Sequence, residues 1–256
     1  MVSLIPNEAA AQHLVAARRA RRPGDRLPES WRPADSEAAL AIQRHVTEIL
    51  GEPIGGWKAA LPLPGKTRMA PIYASNIYSA SPCPVVTHGN VARVEMEVAF
   101  VLGHDLGPRA AAYTETEVRA AISETRLALE LLGGRYADAA AVTAEEKLAD
   151  GMENQGLFVG PVVSGGLDRA LDAFPVKIEA PDAVLFAARG VNPSGHPLAP
   201  LYWLANFLAS RGDGLTAGQI VTTGSYCGVV EAPLATPLRM TFDDLGVLSV
   251  EFSRIE

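Results

Sequence analysis

Two glutamates two residues apart, Glu95 and Glu97, lie in the run Val91–Leu102, where apolar Ala92, Val94, Met96, Val98 and Phe100 alternate with Arg93 and the two acids. Alternation of this kind marks a β-strand, on which both carboxylates point to one side with Cα atoms roughly 6.5–7 Å apart. At that spacing they can converge on one cation, and without a cation they repel. Such a pair alone more often lines a solvated face. Glu130 changes the balance, because it is the only charged residue in the apolar run 127–132. An ionised carboxylate in a buried strand is costly unless it is paired or bound to a metal. Three carboxylates completed by water would form an oxygen-rich octahedral shell, suited to Mg²⁺ or Mn²⁺ rather than Zn²⁺.

Lys58 stands in Gly55-Gly56-Trp57-Lys58-Ala59-Ala60, an otherwise uncharged stretch of β texture. A lysine there can reach solvent from a strand end, hold a substrate carboxylate, or act as a general acid or base with a lowered pKa. Thr222-Thr223-Gly224-Ser225 follows apolar Ile220 and Val221, and presents hydroxyls and backbone N–H groups at a strand end. Such a turn could bind a substrate carboxylate, although Gly-Ser turns mostly just turn. His196 falls in a Gly-His-Pro turn before a helix, and His88 precedes a Gly-Asn turn. Neither forms a dyad suited to activating water, which argues against carbon–carbon bond hydrolysis.

The elements that must position these groups are legible in outline. Residues 7–22 read as a helix with an apolar face from Ala10, Leu14, Val15 and Ala17 and cations at its C-terminal end, stopped by Pro23 and Gly24. A second helix, capped by Asp35 or Ser36 and ended by Gly51, buries Leu40, Ile42, Val46, Ile49 and Leu50. From residue 54 the texture turns to short β-like runs, with helical patterns at 114–125, 143–150 and 197–211. Thr114 with Glu117, and Thr143 with Glu146, match the reciprocal capping box. The expected organisation is an N-terminal helical segment, 1–52, before a catalytic β-rich domain, 53–256.

Composition excludes several partners. The 256 residues are 48% hydrophobic and 20% charged, an ordinary globular balance. With 22 basic against 29 acidic residues the net charge is -7, and no basic stripe could track a phosphate backbone, so no nucleic-acid partner is expected. Cys83 and Cys227 show no disulfide or zinc spacing. Neither a signal sequence nor an 18-residue apolar run is seen, so the expectation is a cytoplasmic protein with no membrane partner.

The ordered set Gly56-Trp57-Lys58, Glu95-Met96-Glu97-Val98-Ala99-Phe100, Ala128-Leu129-Glu130, Arg135-Tyr136, Asn154, Gly195-His196-Pro197-Leu198, Trp203-Leu204-Ala205-Asn206 and Thr223-Gly224-Ser225 resembles the 2-keto-4-pentenoate hydratase and 4-oxalocrotonate decarboxylase family of the fumarylacetoacetate hydrolase superfamily. The resemblance implies an α+β fold, with a mixed β-roll core of the fumarylacetoacetate hydrolase C-terminal type, peripheral helices and the N-terminal helical segment. It implies a metal on Glu95, Glu97 and Glu130, a catalytic Lys58, and substrate binding by Asn154, Thr223, Gly224 and Ser225. It further implies a homo-oligomeric lyase of aromatic compound catabolism whose substrate is a small 2-oxo acid. Hydration of 2-hydroxypenta-2,4-dienoate through a metal-chelated enolate is the first expectation and decarboxylation of a 4-oxalocrotonate-like acid the second. A diketo-acid hydrolase or tautomerase, and a non-enzymatic partner protein with the inherited fold, are the alternatives. Gly133, Met152-Glu153-Asn154 and residues 74–80 depart from the family pattern by lacking expected aspartates.

Overall fold

The computed structural model describes residues 6–87 and 89–255. Two helices open the chain, α1 (Pro6–Arg19) and α2 (Ser36–Leu50). Asp35 caps α2 by accepting from the Ala38 amide at 2.9 Å, and Gly51 ends it in the left-handed region at φ 65°. The first helix stops at Arg19, short of residue 22, because residues 20 and 21 turn and Arg21 takes a positive φ. Leu14 and Val15 of α1 and Leu40, Ile42 and Val46 of α2 join the same apolar cluster as Trp57 and Met96.

The strands follow as β1 (Ile54–Ala59), β2 (Met69–Tyr73), β3 (Ile77–Tyr78), β4 (Cys83–Val85), β5 (Val91–Leu102), β6 (Ile122–Leu132), β7 (Asn154–Val162), β8 (Ala173–Ala180), β9 (Ala183–Val191), β10 (Ile220–Thr222), β11 (Val230–Pro233), β12 (Leu238–Phe242), β13 (Gly246–Val250) and β14 (Phe252–Arg254). Three further helices interrupt them, α3 (Glu115–Ala120), α4 (Ala144–Ala149) and α5 (Leu198–Ala209). Both predicted capping boxes form, at Thr114 with Glu117 and at Thr143 with Glu146. The helix expected over 114–125 is only α3. From Ile122 the chain is strand β6, where Leu127, Leu129 and Leu131 alternate into the core. Pairing with the long β5 overrides the local helical signal there.

The main sheet runs β2-β1-β10-β5-β6-β7-β3, with β11 pairing β5 further along; a second sheet is ordered β13-β12-β8-β9, and β14 pairs β4. Register divides the main sheet into two chemically different faces. Trp57, Val221, Phe100, Val98, Met96, Leu127 and Leu129 belong to the large core cluster. The other face carries a small cluster of Ile72, Ala99, Ala128, Leu157 and Val159. Lys58, in register with Thr222, which is in register with Ala99, lies on this second face with Glu95, Glu97 and Glu130. Among the described residues, no helix is long and apolar enough to cross a membrane.

Candidate metal centre and active site

Glu95 on β5 and Glu130 on β6 are directly opposed in the antiparallel ladder. With Glu97, two residues along the same face, they bring carboxylate oxygens within 4.8 Å of one another. A break in the sheet makes room for them. On the flank of β5 away from β6, β10 pairs with residues 99–101 and β11 with residues 91–94, so 95–98 face a loop instead of a strand. That loop is tied down by the Tyr226 amide donating to the Met96 carbonyl at 2.9 Å. The Gly224 amide then donates to Glu97 Oε2 at 2.9 Å. Gly224 has a φ of 120°, open to glycine, and a Cβ there would meet the Pro193 ring at 2.7 Å.

Lys58 reaches across from β1 until Nζ is 2.5 Å from Glu130 Oε1, and it also donates to the Met152 carbonyl at 3.2 Å. Its side chain is 13% exposed. Burial by itself pulls the ammonium pKa down, but Glu130, Glu95 and Glu97 outweigh it and the net shift is upward. The lowered pKa admitted by the uncharged local sequence is therefore not what three converging carboxylates produce. Lys58 is held as an ammonium.

Asn154 at the start of β7 donates from Nδ2 to Glu130 Oε1 at 3.0 Å and to the Gly156 carbonyl at 3.2 Å. The turn before it is unusual: Gly151, Met152 and Glu153 all have positive φ, 81°, 55° and 63°. Two non-glycine residues in succession in this region store backbone strain. A buried anchor holds them there. Arg135 donates to the Asn154 carbonyl at 2.7 Å and the Gly133 carbonyl at 2.6 Å, and pairs with the Asp150 carboxylate and carbonyl. The strained turn thus aims the Met152 carbonyl at Lys58 and the Asn154 amide at Glu130. The family aspartate missing at Gly133 has a physical counterpart, since a Cβ there would lie 2.7 Å from the Gln155 amide, which donates to the Leu132 and Val86 carbonyls.

Other residues singled out by sequence fall differently. The Thr223 carbonyl accepts from Asn192 at 3.4 Å, and Ser225 Oγ donates to the Gly228 carbonyl at 3.2 Å within its own loop. His196 Nδ1 accepts from the Leu198 amide, the first of α5, at 3.2 Å, a structural role just ahead of the helix. His88 lies outside the described residues. The register of Thr222 with Lys58 puts its side chain on the site face with an unpartnered, fully buried hydroxyl. Local sequence did not expose the Met152 carbonyl or the pairing of Arg93 with Glu153 at 3.4 Å. Both require tertiary pairing that no local pattern states.

The donor set fits a hard divalent cation. Burial, then the charge of Glu130, pushes the Glu95 carboxyl up to about 7, and burial, then Glu130 and Glu95, raises Glu97 well above the carboxylate range. Carboxyls kept protonated by crowding are ready to give up protons to a cation. Between the ordinary value of 4.5 and about 7 the folded state holds a proton on Glu95 that the unfolded chain has lost, so this contribution favours folding in acid and is lost as pH rises through about 7. Metal affinity runs the other way. Mg²⁺ binding is expected to strengthen by about tenfold per pH unit, or more, between roughly pH 5 and 7, with buffer-dependent heats reporting proton release. Titration calorimetry showing equal affinity across that range would contradict it.

No family model matches the chain. A 2-keto-4-pentenoate hydratase from Paraburkholderia phymatum is 27% identical over 260 residues, covering 96% of this chain and 97% of the relative. Among solved structures, 4-oxalocrotonate decarboxylase from Pseudomonas putida G7, complexed with magnesium and adipate, superposes with a TM-score of 0.78 at 19% identity, covering 99% of each chain. A fumarylacetoacetate hydrolase family protein from Yersinia pestis gives a TM-score of 0.56 at 15% identity, over 79% of this chain and 94% of that one. The chain is therefore related to the 2-keto-4-pentenoate hydratases and 4-oxalocrotonate decarboxylase, and it has the fold of the fumarylacetoacetate hydrolase superfamily.

Proposed function

We propose that this chain is a divalent-metal-dependent lyase that hydrates a small 2-hydroxydienoic acid of the 2-hydroxypenta-2,4-dienoate type. The observation that carries the reading is the convergence of three carboxylates, 4.8 Å or less apart, with a lysine ammonium on one face of the sheet. Glu95, Glu97 and Glu130 would hold Mg²⁺ or Mn²⁺. When bound, the cation supplies Lewis-acid polarisation of the substrate's carboxylate and 2-oxo oxygens, where negative charge develops.

The chain's own residues do the rest. Lys58 holds a proton at Nζ, aimed by Glu130 and the Met152 carbonyl, and moves it to or from the substrate carbon during keto–enol exchange. Asn154 and the Gly224 amide fix the Glu130 and Glu97 carboxylates, and the turn Thr223-Gly224-Ser225 with Asn154 lines the substrate. Ile72, Ala99, Ala128 and Leu157 form an apolar floor that keeps water to one side. Segment 53–256 carries this machinery, and assembly as a homo-oligomer in aromatic compound catabolism belongs to the same proposal.

Decarboxylation of a 4-oxalocrotonate-like acid is the second reading, supported by the full-length likeness to 4-oxalocrotonate decarboxylase. Among the described residues no histidine hydrogen-bonds the three carboxylates, which disfavours hydrolysis. With Mg²⁺ present, 2-hydroxypenta-2,4-dienoate should gain one water, read by mass spectrometry, and a chelator should stop the reaction until Mg²⁺ is restored. Loss of carbon dioxide from an oxalocrotonate without hydration would favour the second reading; an unchanged rate in metal-free buffer would sink both.

A further inference from the structure

A small cavity of about 70 Å³ lies where the end of α1 meets residues 76 and 133–135. Arg18, Arg21, Arg22 and Arg135 line it, together with Asn76 and Gly133, and among the described residues no acid is in its wall. Against roughly 30 Å³ for a water in the liquid, the space holds a compact ion and no organic chain. Cations near the end of a helix answer the negative end of its dipole, which accounts for the exposed Arg19 and Arg22 without a ligand. It does not account for Arg18, which is half-buried.

Arg18 is short of counter-charge. Its guanidinium makes one long hydrogen bond, to the Asp150 carbonyl at 3.4 Å, and stands 5.4 Å from the centre of the Tyr73 ring. Among the described residues it has no ion pair within 4 Å, because the Asp150 carboxylate is taken by the side chain and the amide of Arg135. Arg135 spends its other donors on the Gly133, Asn154 and Asp150 carbonyls. Both guanidiniums lie against Gly151, where a Cβ would meet Arg18 Nη2 at 3.7 Å and Arg135 Nη2 at 3.9 Å. Burial, then the neighbouring Arg135, pulls the Arg18 pKa down to about 10, and Asp150 offsets only part of this. A guanidinium drawn out of water beside a like charge gains most from a multivalent oxyanion, whose oxygens accept several charge-assisted N–H bonds at once. Gly151 also opens the strained turn that aims the Met152 carbonyl at Lys58.

We propose that this pocket binds a tetrahedral dianion of the phosphate type, gripped by Arg18, and that the bound ion braces the turn at 151–153 from behind. The probe is inorganic phosphate, titrated into the full-length protein without added metal, with sodium acetate at equal ionic strength as the control. Neither metal nor substrate enters the test, so its outcome leaves the lyase reading untouched. Phosphate at about 10 mM should raise Tm by about 2 °C or more over the control, and calorimetry should give a Kd below about 1 mM. Arg18→Met should weaken binding by about tenfold or more, and Arg18→Lys should keep part of it. If Arg18→Met does not fold, the exposed Arg22 decides, and Arg22→Gln should weaken binding by about threefold. The Met152 and Asn154 amides donate to the Lys147 and Gly151 carbonyls. Their hydrogen exchange should slow by about fivefold or more in saturating phosphate. A rise in Tm that acetate reproduces, or wild-type affinity in the deciding variant, would overturn the site. Saturation without slower exchange would overturn the bracing.

Discussion

The Glu130→Gln protein is expected to bind Mg²⁺ at least about 100-fold more weakly than the wild type and to lose about a thousandfold or more of its turnover. Glutamine keeps the shape and can still accept from Asn154 and Lys58, so the ladder pairing with Glu95 and Leu157 survives. What disappears is one full negative charge at the centre of the donor set. Glu130 is the principal charge raising both Glu95 and Glu97, so their carboxyls should titrate lower in the variant. The weaker affinity should therefore come with less proton uptake or release across roughly pH 5–7. Calorimetry finding wild-type Mg²⁺ affinity in a folded Glu130→Gln protein would remove Glu130 from the ligand set.

Lys58→Met should produce the opposite pattern. Metal binding is retained or tightened, because the competing ammonium 2.5 Å from Glu130 is gone, while turnover falls by about 10²–10⁴. Stability separates this from general damage. Without a cation, the variant leaves three crowded carboxylates with no positive partner in contact, and removal of one member of a buried pair costs about 3–5 kcal/mol. Mg²⁺ should restore most of that loss, giving a larger ligand-induced rise in Tm than in the wild type. Wild-type turnover in Lys58→Met would end the catalytic assignment; a stability deficit that Mg²⁺ leaves untouched would show that Lys58 is compensated elsewhere.

Much of this site can be read from local sequence because strands announce their faces. Period-two alternation put Glu95 and Glu97 on one side of β5, and a single charge inside Leu-Ala-Leu-Glu-Leu-Leu pointed to Glu130. Lys58 stood out for the same reason, as a charge in uncharged surroundings. The register opposing Glu95 to Glu130 is a property of two strands at once, and neither strand's pattern states it. The same limit hid the break between β10 and β11, which turns 95–98 toward the Gly224 loop. The strained turn at Met152 and Glu153 escaped for another reason: left-handed backbone is signalled by glycine, and these residues are held there by Arg135. The over-long helix at 114–125 shows the converse error, a sound N-terminal box followed by residues whose fate was decided by β5.

The groups of the centre are contributed at residues 58, 95, 97, 130, 154 and 224, from five separate segments of the main sheet and its loops. No short stretch of chain contains the site, and its closing contact, Gly224 to Glu97, spans 127 positions. Long loop closures of this kind come late and slowly in folding. A chain emerging from the ribosome therefore carries its acids for most of its synthesis without the cage that the proposed binding site needs. The proposed cation capture would mark the end of folding, and partly folded chains would have no share in it.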